Sequence, residues 1–310
     1  MLPINLEPIR QLLLPSPDPR PVLLAVAGPT AVGKTALTVA LAQELGTEII
    51  SADSRQFYRE LSIGTAKPTV AEMRGVVHHF IDSHAIADDY SAGRFAAEAE
   101  QRLADLFQRH PVIIATGGSG LYLQALTDGL DELPAVPAAV RQALQAELND
   151  QGLPALLEEL RASDPATFAR IDRQNPQRVL RALEVGRGTG RPFSSFHRGP
   201  AALAEAAAAR PFRVVKVALT RSREELYQRI DQRVTAMLAA GLLTEVAALV
   251  PHRHQQALQT VGYQEIFGFL GGDYDLAEAT RLLQRNTRHY AKRQLSWLRR
   301  DPSYAWVEVK

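Results

Sequence analysis

Gly28-Pro29-Thr30-Ala31-Val32-Gly33-Lys34-Thr35, residues 28–35, fits the pattern G-x-x-x-x-G-K-[ST] at every specified position. The residue types carry their own chemistry. Glycines let successive backbone N–H groups turn inward around an anion. Lys34 can reach a terminal phosphate, and the Thr35 hydroxyl can ligate Mg²⁺. The flanks agree. An apolar run, Val22-Leu23-Leu24-Ala25-Val26-Ala27, enters the stretch as a strand, and Ala36-Leu37-Thr38-Val39-Ala40-Leu41-Ala42 leaves it as a helix. The positive end of that helix dipole adds to an anion site.

Working outward, Glu48-Ile49-Ile50-Ser51-Ala52-Asp53 reads as a second strand, and Val112-Ile113-Ile114-Ala115-Thr116 as a third closed by Gly117-Gly118. Helical periodicity fills Ser91 to Gln108 between them. Continuous apolar strands alternating with helices predict an α/β fold: a parallel sheet with helices on both faces. Such sheets bind ligands at the carboxyl ends of their strands. The loop at Gly28, the polar end at Asp53 and the turn at Gly117 then share one crevice.

Residues 132–210 change character. Pro134 and Pro137 mark a boundary, and short helical patterns follow, such as Ala138 to Asn149 and Gln177 to Val185. We read a helical insertion between two parts of a core, 21–131 and 211–310. Phe212 to Leu219 returns to strand character, and from Arg223 onward the chain reads as helices. Six prolines in residues 1–21 predict an irregular extension over 1–20.

Composition narrows the function classes. The chain has 310 residues, 46% hydrophobic and 22% charged, with a formal net charge of +1. A polyanion partner must therefore be met by local basic clusters. The chain has no cysteine, which excludes disulfides, thiolate metal sites and a Cys nucleophile. No run approaches the length of a membrane span, so the expectation is a cytoplasmic protein.

Several residues have two readings. Asp53 at a strand end beside the loop is a base or a water-mediated Mg²⁺ ligand; equally, it is a cap for the next helix. Arg229 and Arg233, at i,i+4, are a phosphate clamp or a solvated rim. His78-His79 on a strand point to opposite faces and chelate poorly, so one structural and one exposed histidine are expected. Arg281 to Arg300 interleaves seven basic residues, among them Lys292 and Arg293, with Tyr290 and Trp297 and no acid between. That composition suits RNA, and a charge-rich solvated helix is the competitor. The strand at Val112 ends in glycines where a hydrolytic motor needs an acid, which argues against an ATPase.

Taken in order, the strings GPTAVGKT, DSRQFY, IGTAKP, HHFID, TGGSGLYLQAL, NPQRVLRALEV, RIDQRV, TVGYQEI and AKRQLSWLRR resemble those of the bacterial tRNA dimethylallyltransferases, also called tRNA isopentenyltransferases, over about residues 22–300. The resemblance implies a P-loop core with a helical insertion domain. It implies transfer of a dimethylallyl group from dimethylallyl diphosphate to N6 of adenosine 37 in the tRNA anticodon stem-loop, with Mg²⁺ and a monomeric enzyme. By resemblance Asp53 is the general base, and Gly28 to Thr35 with Arg233 hold the diphosphate, Lys34, Thr35 and Arg233 acting in catalysis. The implied tRNA contacts are Asp53, Ser54, Arg55, Gln56, Ser119, Arg141, Gln177, Arg178, Val179, Leu180, Arg181, Gly262, Tyr263, Lys292 and Arg293. Ser119 stands where threonine is frequent and keeps the hydroxyl; Asn175 replaces a commoner Asp. Two other classes fit the loop alone, a small-molecule kinase using ATP and an RNA-stimulated ATPase.

Overall fold

The computed structural model describes residues 5–13, 16–131 and 133–309. They form two compact units, one running to Gly129 and resuming at Ala208, the other covering Leu130–Ala207.

The first unit is built on six strands: β1 (Val22–Ala27), β2 (Ile49–Ser51), β3 (His78–His79), β4 (Val112–Gly117), β5 (Arg213–Thr220) and β6 (Ala305–Glu308). Every pairing is parallel, in the order β3-β2-β4-β1-β5-β6. The helices are α1 (Glu7–Leu12), α2 (Lys34–Leu45), α3 (Val70–Met73), α4 (Ala92–Leu106) and α5 (Gly120–Thr127), then, after the second unit, α10 (Arg223–Ala239), α11 (Leu242–Ala248), α12 (Gln264–Gly271) and α13 (Leu276–Leu298). The intervening numbers belong to the second unit: α6 (Ala138–Ser163), α7 (Pro165–Arg170), α8 (Pro176–Thr189) and α9 (Pro200–Ala208).

β1 is buried along its whole length, as an apolar run with no polar alternation requires. Its side chains divide between two cores. Leu23, Ala25 and Ala27 join Ile113, Ala115, Phe57, Phe95 and Leu103. Leu24 and Val26 join Ile114, Leu37, Leu41, Leu226 and Ile230. A third cluster around Tyr263, Leu242, Val246 and Val234 ties α10 to α12 and α13. The second unit has its own core of Leu144, Leu156, Leu160, Val179, Leu180 and Leu183. Its long helix α6 is broken at Gly152, where φ is 77°, two residues before Pro154.

Two expectations need correction. The extension over 1–20 is not wholly irregular. Residues 7–12 form α1, because Ile9 and Leu6 bury against the second core and Arg10 grips Glu44 with two hydrogen bonds of 2.6 and 2.7 Å. Residues 1–4 and 14–15 lie outside the described residues. The chain after Arg223 is also not all helix. β6 adds an edge strand whose four residues are too few to show a pattern by themselves, and it exists because β5 offers a ladder, Val217 facing Ala305 through Thr220 facing Glu308.

Strand register positions the site. Ala27 lies beside Gly117, and Ser51 beside Thr116. The carboxyl ends of β2, β4 and β1 are therefore level. Gly117 allows this closeness: a Cβ there would stand 2.3 Å from the Ala52 carbonyl oxygen. Backbone cannot yield as a side chain can, so Gly117→Ala should destabilise the fold by about 1–3 kcal/mol. Urea unfolding checks this; an unchanged midpoint and slope would show that the strand ends tolerate separation.

Candidate functional site

Residues 28–35 turn sharply because two of them adopt left-handed backbone, Ala31 at φ 65° and Gly33 at φ 110°. Gly33 is the N-cap of α2, so the first N–H groups of that helix face the loop with no intrahelical acceptor. At Gly28 space decides the residue: a Cβ would lie 3.1 Å from the Leu219 carbonyl oxygen of β5.

Three arginines from the chain after β5 each hold one residue of this loop. Arg233 Nη1 donates to Thr30 Oγ1 at 3.2 Å, Arg229 Nε to the Ala31 carbonyl at 2.7 Å, and Arg221 Nε to the Val32 carbonyl at 2.9 Å. Arg221 is also paired with Glu225. Lys34 Nζ donates to the carbonyls of Gly28 and Pro29, both at 2.9 Å. Burial pulls the Lys34 ammonium down to about 8, Asp53 opposing and Arg233 adding to the pull. Burial and then Arg229 lower Arg233, and burial and then Arg221 lower Arg229. Mutually repelling cations around inward-facing N–H groups make a site for a multiply charged anion. Arg229 and Arg233 are not a solvated rim; both line the cavity.

That cavity is about 710 Å³, and Thr30, Lys34, Thr35, Asp53, Arg229, Arg233, Tyr290 and Gln294 are among the residues lining it. Asp53 caps a turn, not a helix, and it also lines the cavity. Oδ1 accepts the Arg55 N–H at 3.1 Å, capping the turn that follows β2, while the carboxylate lines the same cavity as Lys34. Ser119 links this turn to the end of β4: its Oγ accepts the Ser54 N–H at 2.9 Å and donates to Ser54 Oγ at 3.0 Å. Gln56 Nε2 donates to the carbonyls of Thr65 and Ala66. The Tyr290 phenol is pushed up by burial first and by Asp53 second.

Thr35 and Asp53 supply hard oxygen donors to one cavity, which fits Mg²⁺. Among the described residues no cluster of three or more His, Cys, Asp or Glu could hold a metal. The fit is to an ion carried between one or two protein oxygens and the oxygens of a bound phosphate.

Of the other expected site residues, Arg55, Gln56 and Gly262 line the cavity and the rest lie elsewhere. Tyr263 is fully buried in the third core, its hydroxyl donating to Glu245 at 2.7 Å, and Gly262 donates its N–H to the buried Glu265 at 2.9 Å. Neither Tyr263 nor the Val179 and Leu180 side chains, which face the second unit's core, can touch a macromolecule directly. For Val179 and Leu180 the cause is helical periodicity: a run of five residues on a packed helix turns at least one inward. Gln177 and Arg178 are exposed, and Arg181 and Arg141 flank Glu184 at 3.2 and 3.7 Å. Lys292 and Arg293 are exposed on α13, but two neighbours in that basic run have acidic partners, Arg288 with Asp231 at 2.6 Å and Arg281 with Glu278 at 2.6 Å. Neither histidine of His78-His79 is exposed. His78 bonds the Val76 carbonyl and His79 bonds Glu48, at 2.9 and 2.7 Å.

Two residues escaped the sequence reading, Arg221 and Gln294, and Tyr290, named there only as an aromatic of the basic run, lines the cavity. Gln294, on α13, accepts the Thr30 N–H at 2.8 Å and donates to the Gly118 carbonyl at 2.9 Å, joining the anion loop to the end of β4. A signal was present, since Leu283, Ala291, Gln294 and Leu298 form the buried stripe of α13, and a polar residue on such a stripe has a partner to satisfy.

The family model described as IPP transferase matches residues 56–301. A tRNA dimethylallyltransferase of Cytophaga hutchinsonii is 50% identical over 284 residues, 92% of this chain and 91% of its own. One of Porphyromonas gingivalis is 46% identical, covering 92% and 93%. Among solved structures, a tRNA isopentenylpyrophosphate transferase of Bacillus halodurans superposes with a TM-score of 0.67 at 36% identity, covering 93% of this chain and 90% of that one. A eukaryotic dimethylallyltransferase acting on tRNA gives 0.74 at 25% identity, covering 93% and 74%.

The Lys34 charge is present below about 8 and lost above it. Affinity for inorganic pyrophosphate should therefore fall roughly tenfold between about pH 7 and pH 9, relative to Lys34→Arg, whose charge does not titrate. The ratio cancels the ligand's own ionisation. Parallel profiles by calorimetry would remove Lys34 from the anion site.

Proposed function

The chain belongs to the IPP transferase family, and from that premise we infer that it transfers a dimethylallyl group from dimethylallyl diphosphate to tRNA, at N6 of adenosine 37 in the anticodon loop. One observation carries the reading: a carboxylate, Asp53, lines the same cavity as a loop held by Lys34, Arg221, Arg229 and Arg233. Prenyl transfer to an amine needs both, a proton acceptor for the nucleophile and a cationic seat for the leaving group.

The electron and proton accounts balance with these residues. An exocyclic adenine amine is a weak nucleophile, so Asp53 takes its proton as N6 forms a bond to the allylic C1. The C1–O bond breaks, and its electron pair leaves on the diphosphate. Charge growing on that oxygen meets the loop N–H groups, Lys34 and Arg233, already oriented before the reaction begins. Thr35 would hold Mg²⁺, and the ion would supply further neutralisation of the leaving group. The target base must leave its stack to reach Asp53.

RNA contact is supported separately on each unit. Lys292 and Arg293 are exposed on α13 of the first, and Gln177 and Arg178 at the start of α8 of the second. Among the described residues no helix is long and apolar enough to cross a membrane, in keeping with action in the cytoplasm. A kinase reading has no use for the exposed basic residues Lys292 and Arg293 on α13. β4 ends in Gly117-Gly118 with no acid, which a nucleotide hydrolase would need there.

Incubation with labelled dimethylallyl diphosphate and unmodified tRNA should label the tRNA and release diphosphate, with added ATP left intact. ATP consumption without tRNA labelling would overturn the reading. Asp53→Asn keeps an acceptor for the Arg55 N–H but removes the basicity, so turnover should drop on the order of 10² to 10⁴ with tRNA affinity unchanged. Near-normal single-turnover rates would remove Asp53 as base.

Affinity for tRNA should also fall steeply with salt. Replacing Lys292 and Arg293 by Ala should lower the log–log slope by roughly 0.7–0.9 per lost phosphate contact. An unchanged slope would make them a solvated face.

A further inference from the structure

The IGTAKP stretch, residues 63–68, has no part in the chemistry above, yet Ser62 to Pro68 form a continuous wall of the cavity. This wall is backbone-rich and held from behind. Glu245 of α11 accepts three successive N–H groups, from Ser62 at 3.2 Å, Ile63 at 2.7 Å and Gly64 at 2.9 Å. Its fourth partner is the Tyr263 hydroxyl at 2.7 Å. The loop rests directly on the Tyr263 ring: a Cβ at Gly64 would lie 2.6 Å from two ring carbons. On its other flank the loop is held by Gln56, bonded to the Thr65 and Ala66 carbonyls, and by Lys67, bonded to Tyr58 O at 2.8 Å and Asp82 at 2.5 Å. Glu245 does not line the cavity, and its oxygens are taken up by these four donors. Its effect is on shape.

The rest of the lining indicates what the shape is for. Along α10 the cavity is lined by Arg229 and Arg233, with Ile230 between them, then by Val234, Ala236, Met237 and, just past the helix, Ala240, a span of about 16 Å over eleven residue steps. Val261, Leu283 and Ile63 add to the apolar part. One helix thus offers charge at one end and hydrocarbon at the other, the two halves of an allylic diphosphate. We propose that Glu245 and Tyr263 are positioning residues that fix the Ser62–Ala66 wall, and that this wall sets the length of the allylic chain the cavity accepts. The proposal rests on the prenyl-transfer reading and names the feature that selects its donor.

The test separates the two. Affinities are measured for the unreactive thiolodiphosphate analogues of the five-carbon dimethylallyl and ten-carbon geranyl donors, with wild type, Glu245→Gln and Tyr263→Phe. Gln places an N–H where the wall needs an acceptor, so the wall should loosen. Preference for the short analogue should fall about tenfold in Glu245→Gln, the scale on which hydrophobic pockets discriminate chain length. Tyr263→Phe, which loses one hydroxyl and keeps the ring, should show a smaller fall in the same sense and remains measurable if Glu245→Gln does not fold. Inorganic pyrophosphate affinity should hold within about twofold in both, which a general loss of structure would not allow. An unchanged preference in a folded variant, or equal loss for both analogues and pyrophosphate, overturns the proposal. Selective analogue binding by a wild type that fails to label tRNA would instead sink the functional reading alone.

Discussion

Like charges do not gather unless something opposes their repulsion. Lys34, Arg221, Arg229 and Arg233 are nevertheless held within hydrogen-bonding distance of one eight-residue loop. Much else in the first unit follows from stabilising that arrangement. Each guanidinium spends a donor on a loop carbonyl or hydroxyl, which spreads the charge and stiffens the loop. Asp53 lies close enough to raise the Lys34 proton affinity against the pull of burial. Glu225 neutralises Arg221 from behind. The remaining imbalance is what an anionic substrate corrects, so binding and loop stability draw on one source.

The sheet makes the arrangement possible by bringing four chain segments level. β1 delivers the loop, β2 the carboxylate, β4 a glycine end thin enough to let the others close up, and β5 the arginines. None of these is close to its partner in sequence. Parallel register converts distance along the chain into adjacency at a single edge, which is why the carboxyl ends carry the chemistry.

Most of this was legible beforehand where the signal was local. The apolar runs at Val22, Ile49 and Val112 announced buried parallel strands, and the glycine spacing at 28–33 announced an anion loop. What the sequence hid was direction. It does not say which side chains look inward, and Tyr263, Val179 and Leu180, expected as contact residues, are core. The same blindness missed Gln294, whose role depends on two backbone groups 176 and 264 residues away. β6 was invisible for a related reason, since its ladder is supplied by β5 and not by its own composition. The Arg281 to Arg300 run was read as free of acids because its partner Asp231 sits on another helix.

The order of the strands has a consequence for how the protein is made. β1 lies between β4 and β5, and its partner Arg213 on β5 follows Val22 by 191 residues, 213 less 22. A ribosome adding roughly 5–20 residues per second takes on the order of 10–40 s to bridge that interval. Throughout that time one edge of the central strand has no neighbour, and the loop at its end lacks all three arginines. The nascent chain therefore carries an unfinished sheet for most of its synthesis while the second unit, complete within residues 130–207, can condense on its own core. The three arginines reach the anion loop only with the last third of the chain, so the site is completed late in synthesis.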